Sequence, residues 1–203
     1  MEMNPMDIER RSMAIIESEL DITLPDEVKP IVMRTIHATA DFSFAKSLYF
    51  ASGAVALMQG MLHEGATVVT DTQMALSGIN KGAASRLGVS LCCFMSDTNV
   101  ADEAKARGVT RALVSMERAL QLPGEKLLVC GNAPTFLLRL LSEQATSDVA
   151  VIGAPVGFVN VLESKEALKR SGIPSIIAMG RRGGSTVAAA IVNALMYDAG
   201  GRT

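Results

Sequence analysis

The sequence predicts an α/β fold, with a single three-layer domain of about five parallel strands and an N-terminal helical segment. The first third of the 203 residues places apolar side chains at helical spacing. After Gly65, short runs rich in Val, Ile and Leu alternate with amphipathic segments. The runs are continuously apolar rather than alternating, which is typical of strands buried on both faces of a parallel sheet.

The N-terminal segment is predicted to contain three helices. The first is expected to run from Asn4 to about Leu20. The second is expected to start near Pro25 or at Pro30, and the third to run from about Ser52 to His63. Asn4 is a favourable N-cap and Pro5 suits the first helical position. Pro30 leaves two starts open for the second helix, because proline kinks or breaks a helix interior.

The remainder is predicted to alternate between strands and helices. The strands are Thr67–Thr70, Val89–Phe94, Lys126–Cys130, Val149–Ile152 and Ser175–Ala178. The clearest helices between and after them are Asp97–Arg107, Ala133–Glu143, Glu163–Arg170 and Ser185–Met196. No linker, repeat or low-complexity stretch divides the chain, so residues 1–203 are expected to form one domain.

Composition excludes several classes of function. A net charge of −2, with no Trp and eight Phe and Tyr residues together, is unlike a nucleic-acid-binding protein. No apolar run approaches the roughly 20 residues that span a bilayer, and no signal peptide is recognisable. The three cysteines lack a C-x-x-C pair, and only two histidines are present. We therefore expect a cytoplasmic protein with neither a disulfide framework nor a metal site.

Distinctive residues follow each predicted strand, where parallel sheets bind their ligands. None of these segments carries the G-x-G-x-x-G or G-x-x-x-x-G-K-[ST] phosphate-binding fingerprints. The segment Arg181–Ser185 reads R-R-G-G-S and opens a predicted helix. Arginine side chains beside free N–H groups of a helix start favour binding of an anion, including a carboxylate.

The second helix carries the strongest candidate for chemistry. At 100° per residue, Arg34, His37 and Asp41 share one narrow stripe that lies away from the apolar face. An aspartate can orient an imidazole, and an arginine can fix an anionic substrate beside it. No G-x-S-x-G nucleophile elbow is present. His37 is therefore predicted to act in acid–base chemistry, whereas His63, near a predicted helix end, is interpreted as structural.

The motifs together resemble those of the precorrin-8X methylmutase family, including its cobalt-precorrin-8 relatives. They are Glu9–Ser12, Arg34–Ala38 with Asp41, Thr70–Asp71, Thr110–Arg111, Gly131–Thr135, Pro155–Val159, Glu163–Lys165 and Gly180–Arg181 with Gly183–Ser185. They follow the family order over nearly the whole chain. The departure is Ala40, where the family often has glycine.

The resemblance implies an isomerase of cobalamin biosynthesis. It would move the methyl group on C-11 of the macrocycle to C-12, giving hydrogenobyrinate or its cobalt form, with no cofactor consumed. His37 matches the catalytic histidine. Substrate-binding positions are matched by Ser12, Arg34, Arg111, Asn132, Arg181, Gly184 and Ser185. The family resemblance further implies a homodimer with its sites near the subunit boundary.

Two other functions are left open by the sequence. One is a Rossmann-like oxidoreductase, which the missing glycine fingerprint disfavours. The other is a non-catalytic tetrapyrrole carrier that would use the same crevice without changing the conjugation of its ligand.

Overall fold

The computed structural model describes residues 4–143 and 148–201. The helices in these ranges are α1 (Pro5–Glu19), α2 (Lys29–Thr39), α3 (Phe44–Ser47), α4 (Ala54–His63), α5 (Gln73–Gly78), α6 (Lys81–Arg86), α7 (Thr98–Arg107), α8 (Arg111–Leu120), α9 (Pro134–Leu141), α10 (Val161–Arg170) and α11 (Ser185–Met196). The strands are β1 (Leu48–Phe50), β2 (Thr67–Thr70), β3 (Ser90–Cys92), β4 (Lys126–Cys130), β5 (Val149–Gly153) and β6 (Ser175–Ala178).

The sheet has the strand order β1-β6-β5-β4-β2-β3. The five predicted strands, β2 to β6, are all parallel, as the sequence indicated. An additional edge strand, β1, runs antiparallel to β6, with Leu48 opposite Ala178. The sequence did not predict β1, because three partly buried residues are too few to show a strand period.

Helices cover both faces of the sheet, which confirms the three-layer arrangement. Leu127 and Val129 of β4 pack in one core with residues of α2, α4 and α11. Leu128 and Cys130 pack in the other core with residues of α8, α9 and α10. Successive β4 residues thus enter opposite cores, and all five residues of the strand are buried. This double burial explains the continuous apolar runs of the sequence.

Some element limits differ from those predicted. Helix α2 begins at Lys29, with Pro30 in its first turn, and ends at Thr39. Ala40 stops it in the left-handed conformation, with φ 53°, and its N–H donates to the Ile36 carbonyl at 2.7 Å. Glycine adopts this conformation without strain, which is a physical reason for the glycine expected there. Helices α5, α6 and α8 come in addition to the four predicted after Gly65.

No helix in the described ranges combines the length and apolar character needed to cross a bilayer. Cys92, Cys93 and Cys130 are free thiols.

Candidate functional site

The carboxyl ends of the five parallel strands meet at one edge of the sheet, which we call the carboxyl edge. The segments after β2, β4, β5 and β6 lie there, and α11 begins there. The end of α2 reaches the same edge, because the chain passes from it through α3 into β1, and Ser47 accepts the Met179 N–H at 2.8 Å. The predicted site residues on α2 and on the strand loops are therefore on one side of the molecule.

Asp71, directly after β2, fixes the segment that follows β4. Its side chain is fully buried and accepts the N–H groups of Gly131, Asn132 and Ala133 at 2.7, 2.8 and 2.7 Å. Burial raises the pKa of Asp71, while these three donors favour the charged carboxylate and oppose the shift. The G-N-A-P-T segment is thus held through its backbone, and the Asn132 side chain is left exposed.

Ser185, the first residue of α11, lies against the same segment. A Cβ atom on Gly131 would come within 2.8 Å of the Ser185 Cα, so only glycine allows this approach. The Ser185 hydroxyl is 2.8 Å from the Thr72 hydroxyl. The loops after β2 and β4 are therefore locked to the start of α11.

The turn Gly180–Gly184, between β6 and α11, is held from two sides. The Gly184 N–H donates to the Ala154 carbonyl at 2.8 Å, and a Cβ atom on Gly183 would lie 2.3 Å from that same oxygen. From below, the buried Lys165 ammonium donates to the carbonyls of Gly180 and Arg182, each at 2.8 Å. The position of the turn therefore depends on side chains and backbone beneath the surface.

His37 is exposed, as its place off the apolar face of α2 predicts, and lines two adjoining depressions. The larger, of about 230 Å³, places His37 with Arg34, Ser185 and the exposed Met74. The smaller, of about 210 Å³, places it with Ser12 of α1. Three other predicted site residues, contributed by α1, α2 and α11, therefore line depressions together with the His37 imidazole.

Asp41 does not support His37, contrary to the stripe interpretation. Because α2 ends at Thr39, Asp41 leaves the helical stripe; its carboxylate pairs with Arg182 and accepts the Ser43 N–H at 3.0 Å. Hydrogen bonding by Ser43 and the charge of Arg182 lower the pKa of Asp41. The Arg182–Asp41 pair instead links the end of α2 to the turn Gly180–Gly184.

Arg34 is partly buried and already engaged. Its guanidinium donates to Glu9 of α1 at 2.7 Å and stacks over the Tyr197 ring at 4.9 Å from the centroid. These contacts orient Arg34 at the rim of the larger depression and join α1 to α2.

The predicted residues Arg111 and Arg181 lie around the edge rather than in the two depressions. Arg111, exposed at the start of α8, donates to the Met95 carbonyl at 3.4 Å. Its neighbour Thr110 is 3.2 Å from Thr135 in the G-N-A-P-T motif, counted between hydroxyl oxygens. Arg181 is exposed, and its guanidinium carbon lies 5.9 Å from the centre of the Phe158 ring.

Two supporting residues, Asp71 and Lys165, are missing from the predicted site. The signal for Asp71 was a carboxylate directly after a buried strand. The signal for Lys165 was a cation on the inner face of an amphipathic helix, with Val161 and Leu168. No trio of His, Cys, Asp or Glu side chains in the described part of the chain is arranged to hold a metal ion.

Known proteins resemble this chain over almost its full length. A sequence model of the precorrin-8X methylmutase family matches residues 7–198. A cobalt-precorrin-8 methylmutase from Salmonella typhimurium is 43% identical, over 95% of each chain. A precorrin-8X methylmutase from Pseudomonas aeruginosa is 36% identical, over 94% of each.

A solved structure has the same fold. The precorrin-8X methylmutase of Thermus thermophilus superposes with a TM-score of 0.86 at 34% identity, covering 95% of this chain and 97% of that one. This solved structure of a protein with a related sequence confirms the predicted α/β fold.

Proposed function

Because the chain belongs to the precorrin-8X methylmutase family, we propose that it is the isomerase that moves the C-11 methyl group of precorrin-8X, or of cobalt-precorrin-8, to C-12. The observation that carries the proposal is the family match over residues 7–198. The grouping of His37 with Arg34, Ser185 and Ser12 supplies a site for the chemistry. The family match favours this activity over the oxidoreductase and the carrier.

The reaction rearranges one molecule, so the protein has to bind, orient and polarise the macrocycle. A 1,5-type shift breaks the bond from the methyl carbon to C-11 and forms one to C-12, with no net change in composition. His37 donates a proton or a hydrogen bond to the conjugated ring system near the migrating group. A fixed donor of this kind typically contributes about 10²–10⁴ in rate, and positioning contributes the rest.

The size of the depressions indicates how the substrate binds. Cavities that enclose a drug-sized ligand typically measure about 300–1,000 Å³, and the two beside His37 measure about 230 and 210 Å³. They hold only part of a tetrapyrrole, whose acetate and propionate groups then extend over the carboxyl edge. We expect the exposed side chains of Arg111, Arg181 and Asn132 to bind these groups.

We also propose a homodimer and a cytoplasmic location. The exposed Phe158 and Val159, at 83% and 79% exposure, support an interface beside the site. The free cysteines support a reducing compartment. Light scattering on the purified protein measures the oligomeric state, and a monomer at micromolar concentration would contradict the dimer.

The absorption spectrum tests the activity. Mixing the enzyme with precorrin-8X, and separately with its cobalt form, is expected to convert the spectrum of one substrate to that of the isomerised corrinoid, without NADPH or a methyl donor. Binding with an unchanged spectrum for both would indicate a carrier. Turnover that requires NADPH would indicate an oxidoreductase.

A further inference from the structure

Lys165 occupies an unusual place beneath the candidate site. Its side chain on α10 is 1% exposed, and its ammonium donates to the Gly180 and Arg182 carbonyls at 2.8 Å each. These two carbonyls flank Arg181, so the backbone of the turn folds over the cation. A lysine is rarely buried so completely unless its charge is paired.

No carboxylate pairs with Lys165 among residues 4–143 and 148–201. The thiol of Cys130 on β4 interacts electrostatically with Lys165. Burial and the nearby Asp71 raise the pKa of that thiol well above its ordinary value, which keeps it neutral. The Arg182 side chain points away to Asp41. The ammonium therefore keeps a positive charge that no anion in the described chain neutralises.

Resting on the proposed function, we propose that Lys165 is a positioning residue for the substrate: it holds the turn Gly180–Gly184 in place, and its charge favours a substrate carboxylate bound on the outer side of that turn. The cation acts through the backbone rather than by contact. Electrostatic attraction across a buried, weakly polar layer is stronger than in water. A polyanionic ligand would supply the missing counter-charge.

Lys126 provides a matched control within the same chain. It is 2% exposed and donates to two backbone carbonyls, of Leu122 and Gly124, at 2.8 and 2.6 Å. It differs in having a carboxylate partner, Asp148, at 2.5 Å, and in lying at the amino ends of the strands, away from the site. Lys126→Met thus removes a buried lysine and its turn contacts without touching the site.

The test compares two ligands across three proteins. The ligands are hydrogenobyrinate and the same corrinoid with its carboxylates converted to primary amides. The proteins are wild type, Lys165→Met and Lys126→Met. Lys165→Met is expected to bind hydrogenobyrinate at least tenfold more weakly than wild type, equivalent to about 1.4 kcal/mol. Its affinity for the amidated corrinoid should change much less, and Lys126→Met should bind both as wild type does.

An equal loss of affinity for both ligands in Lys165→Met would overturn the proposal, because it would make Lys165 a structural support only. Unchanged binding of both ligands in Lys165→Met would also overturn it. A wild-type protein that binds neither corrinoid nor isomerises the substrate would reject the proposed function itself, and the inference with it. These results are distinguishable, since only the last concerns wild type.

A second measurement needs no variant, in case Lys165→Met fails to fold. Burial lowers the pKa of Lys165 to about 8. As pH rises from 7 to 9.5, the preference of wild type for the charged over the amidated corrinoid should decrease, and that of Lys126→Met should decrease in parallel. Part of the preference remains, because Arg111 and Arg181 stay charged. A preference that stays constant over this range would overturn the charge role.

Discussion

Two buried lysines at opposite edges of the sheet show how differently the two edges are built. Lys126 at the amino ends of the strands and Lys165 at the carboxyl ends both donate to two carbonyls of a turn. Lys126 is neutralised by Asp148, whose pKa it lowers, whereas no carboxylate pairs with Lys165 in the described residues. The buried charge of Lys126 is thus balanced within the protein, whereas that of Lys165 is available to a ligand.

The glycines repeat this contrast. At the amino edge, Gly124 and Gly172 have positive φ angles, but a Cβ atom on either would meet nothing within 4 Å. At the carboxyl edge, Gly131 and Gly183 allow backbone to approach backbone, since a Cβ atom would lie 2.8 Å from the Ser185 Cα or 2.3 Å from the Ala154 carbonyl oxygen. The closest approach at the amino edge is looser, since a Cβ atom on Gly65 would lie 3.2 Å from the Gly88 carbonyl oxygen. The tightest backbone packing is thus at the carboxyl edge, as preorganisation of a site requires.

The largest expected difference between the edges concerns the two histidines. His37→Ala should lower turnover by at least about 10²-fold, since a general acid is lost. Because His37 is exposed, the free energy of unfolding should change little. The control is His63→Ala, an exposed histidine at the end of α4 and close to the amino edge, which should keep full activity. Spectral assays and denaturant titrations measure both.

The size of the loss in His37→Ala tests the donor role. A His37→Ala rate above about a tenth of wild type would contradict that role, against the ~10²-fold loss expected.

Backbone packing gives the next largest effect. Gly183→Ala should cost about 2–4 kcal/mol of unfolding free energy, because its methyl group collides with the Ala154 carbonyl. Gly124→Ala places a methyl group in open space and should cost about 1 kcal/mol, from its positive φ alone. Chemical denaturation separates the two, and equal costs would contradict the proposed difference in packing.

The buried parts of the fold were predictable because their signals are local. The limits predicted for Lys126–Cys130, Ser175–Ala178 and Ser185–Met196 agree with the structure to the residue, since continuous apolar runs and a glycine before a helix are visible in sequence. Strand β1 was missed because its evidence is non-local: Leu48–Phe50 form a strand only by pairing with β6.

The site was predictable only in part, for the same reason. Helical spacing placed His37 off the core, and the structure agrees. The same spacing assigned Asp41 to His37, which was wrong because Ala40 ends the helix one residue earlier and Arg182, 141 positions away in sequence, takes the carboxylate. Lys165 was overlooked as a site residue because burial of a cation depends on a turn distant in sequence.

A smaller effect is expected from removing a surface arginine. The loss should weaken ligand binding at the carboxyl edge and leave it unchanged at the amino edge. Arg111→Ala should weaken hydrogenobyrinate binding by roughly 1.5–3 kcal/mol, the usual worth of a hydrogen bond to a charged group. Arg170→Ala removes an arginine near the amino edge whose carboxylate contact is a long 4.0 Å, and binding should not change. Calorimetric titration measures both affinities; equal losses would point to net charge rather than to a local contact.

The smallest effect is a pH dependence of the free energy of unfolding that Lys165 produces. The pKa of Lys165 is about 8 in the native state and near its ordinary 10.5 in the unfolded chain. At pH values between about 8 and 10.5, the unfolded chain binds more protons than the native protein does. Lys165 therefore makes the free energy of unfolding rise with pH. The gain from pH 8 to 9 is about 1 kcal/mol. Lys165→Met should lack this increment relative to wild type, and Lys126→Met should retain it. Urea titrations at both pH values measure the difference. If the stability of Lys165→Met changes with pH as that of wild type does, the prediction is wrong, because Lys165 would then have the same pKa in the native and unfolded states.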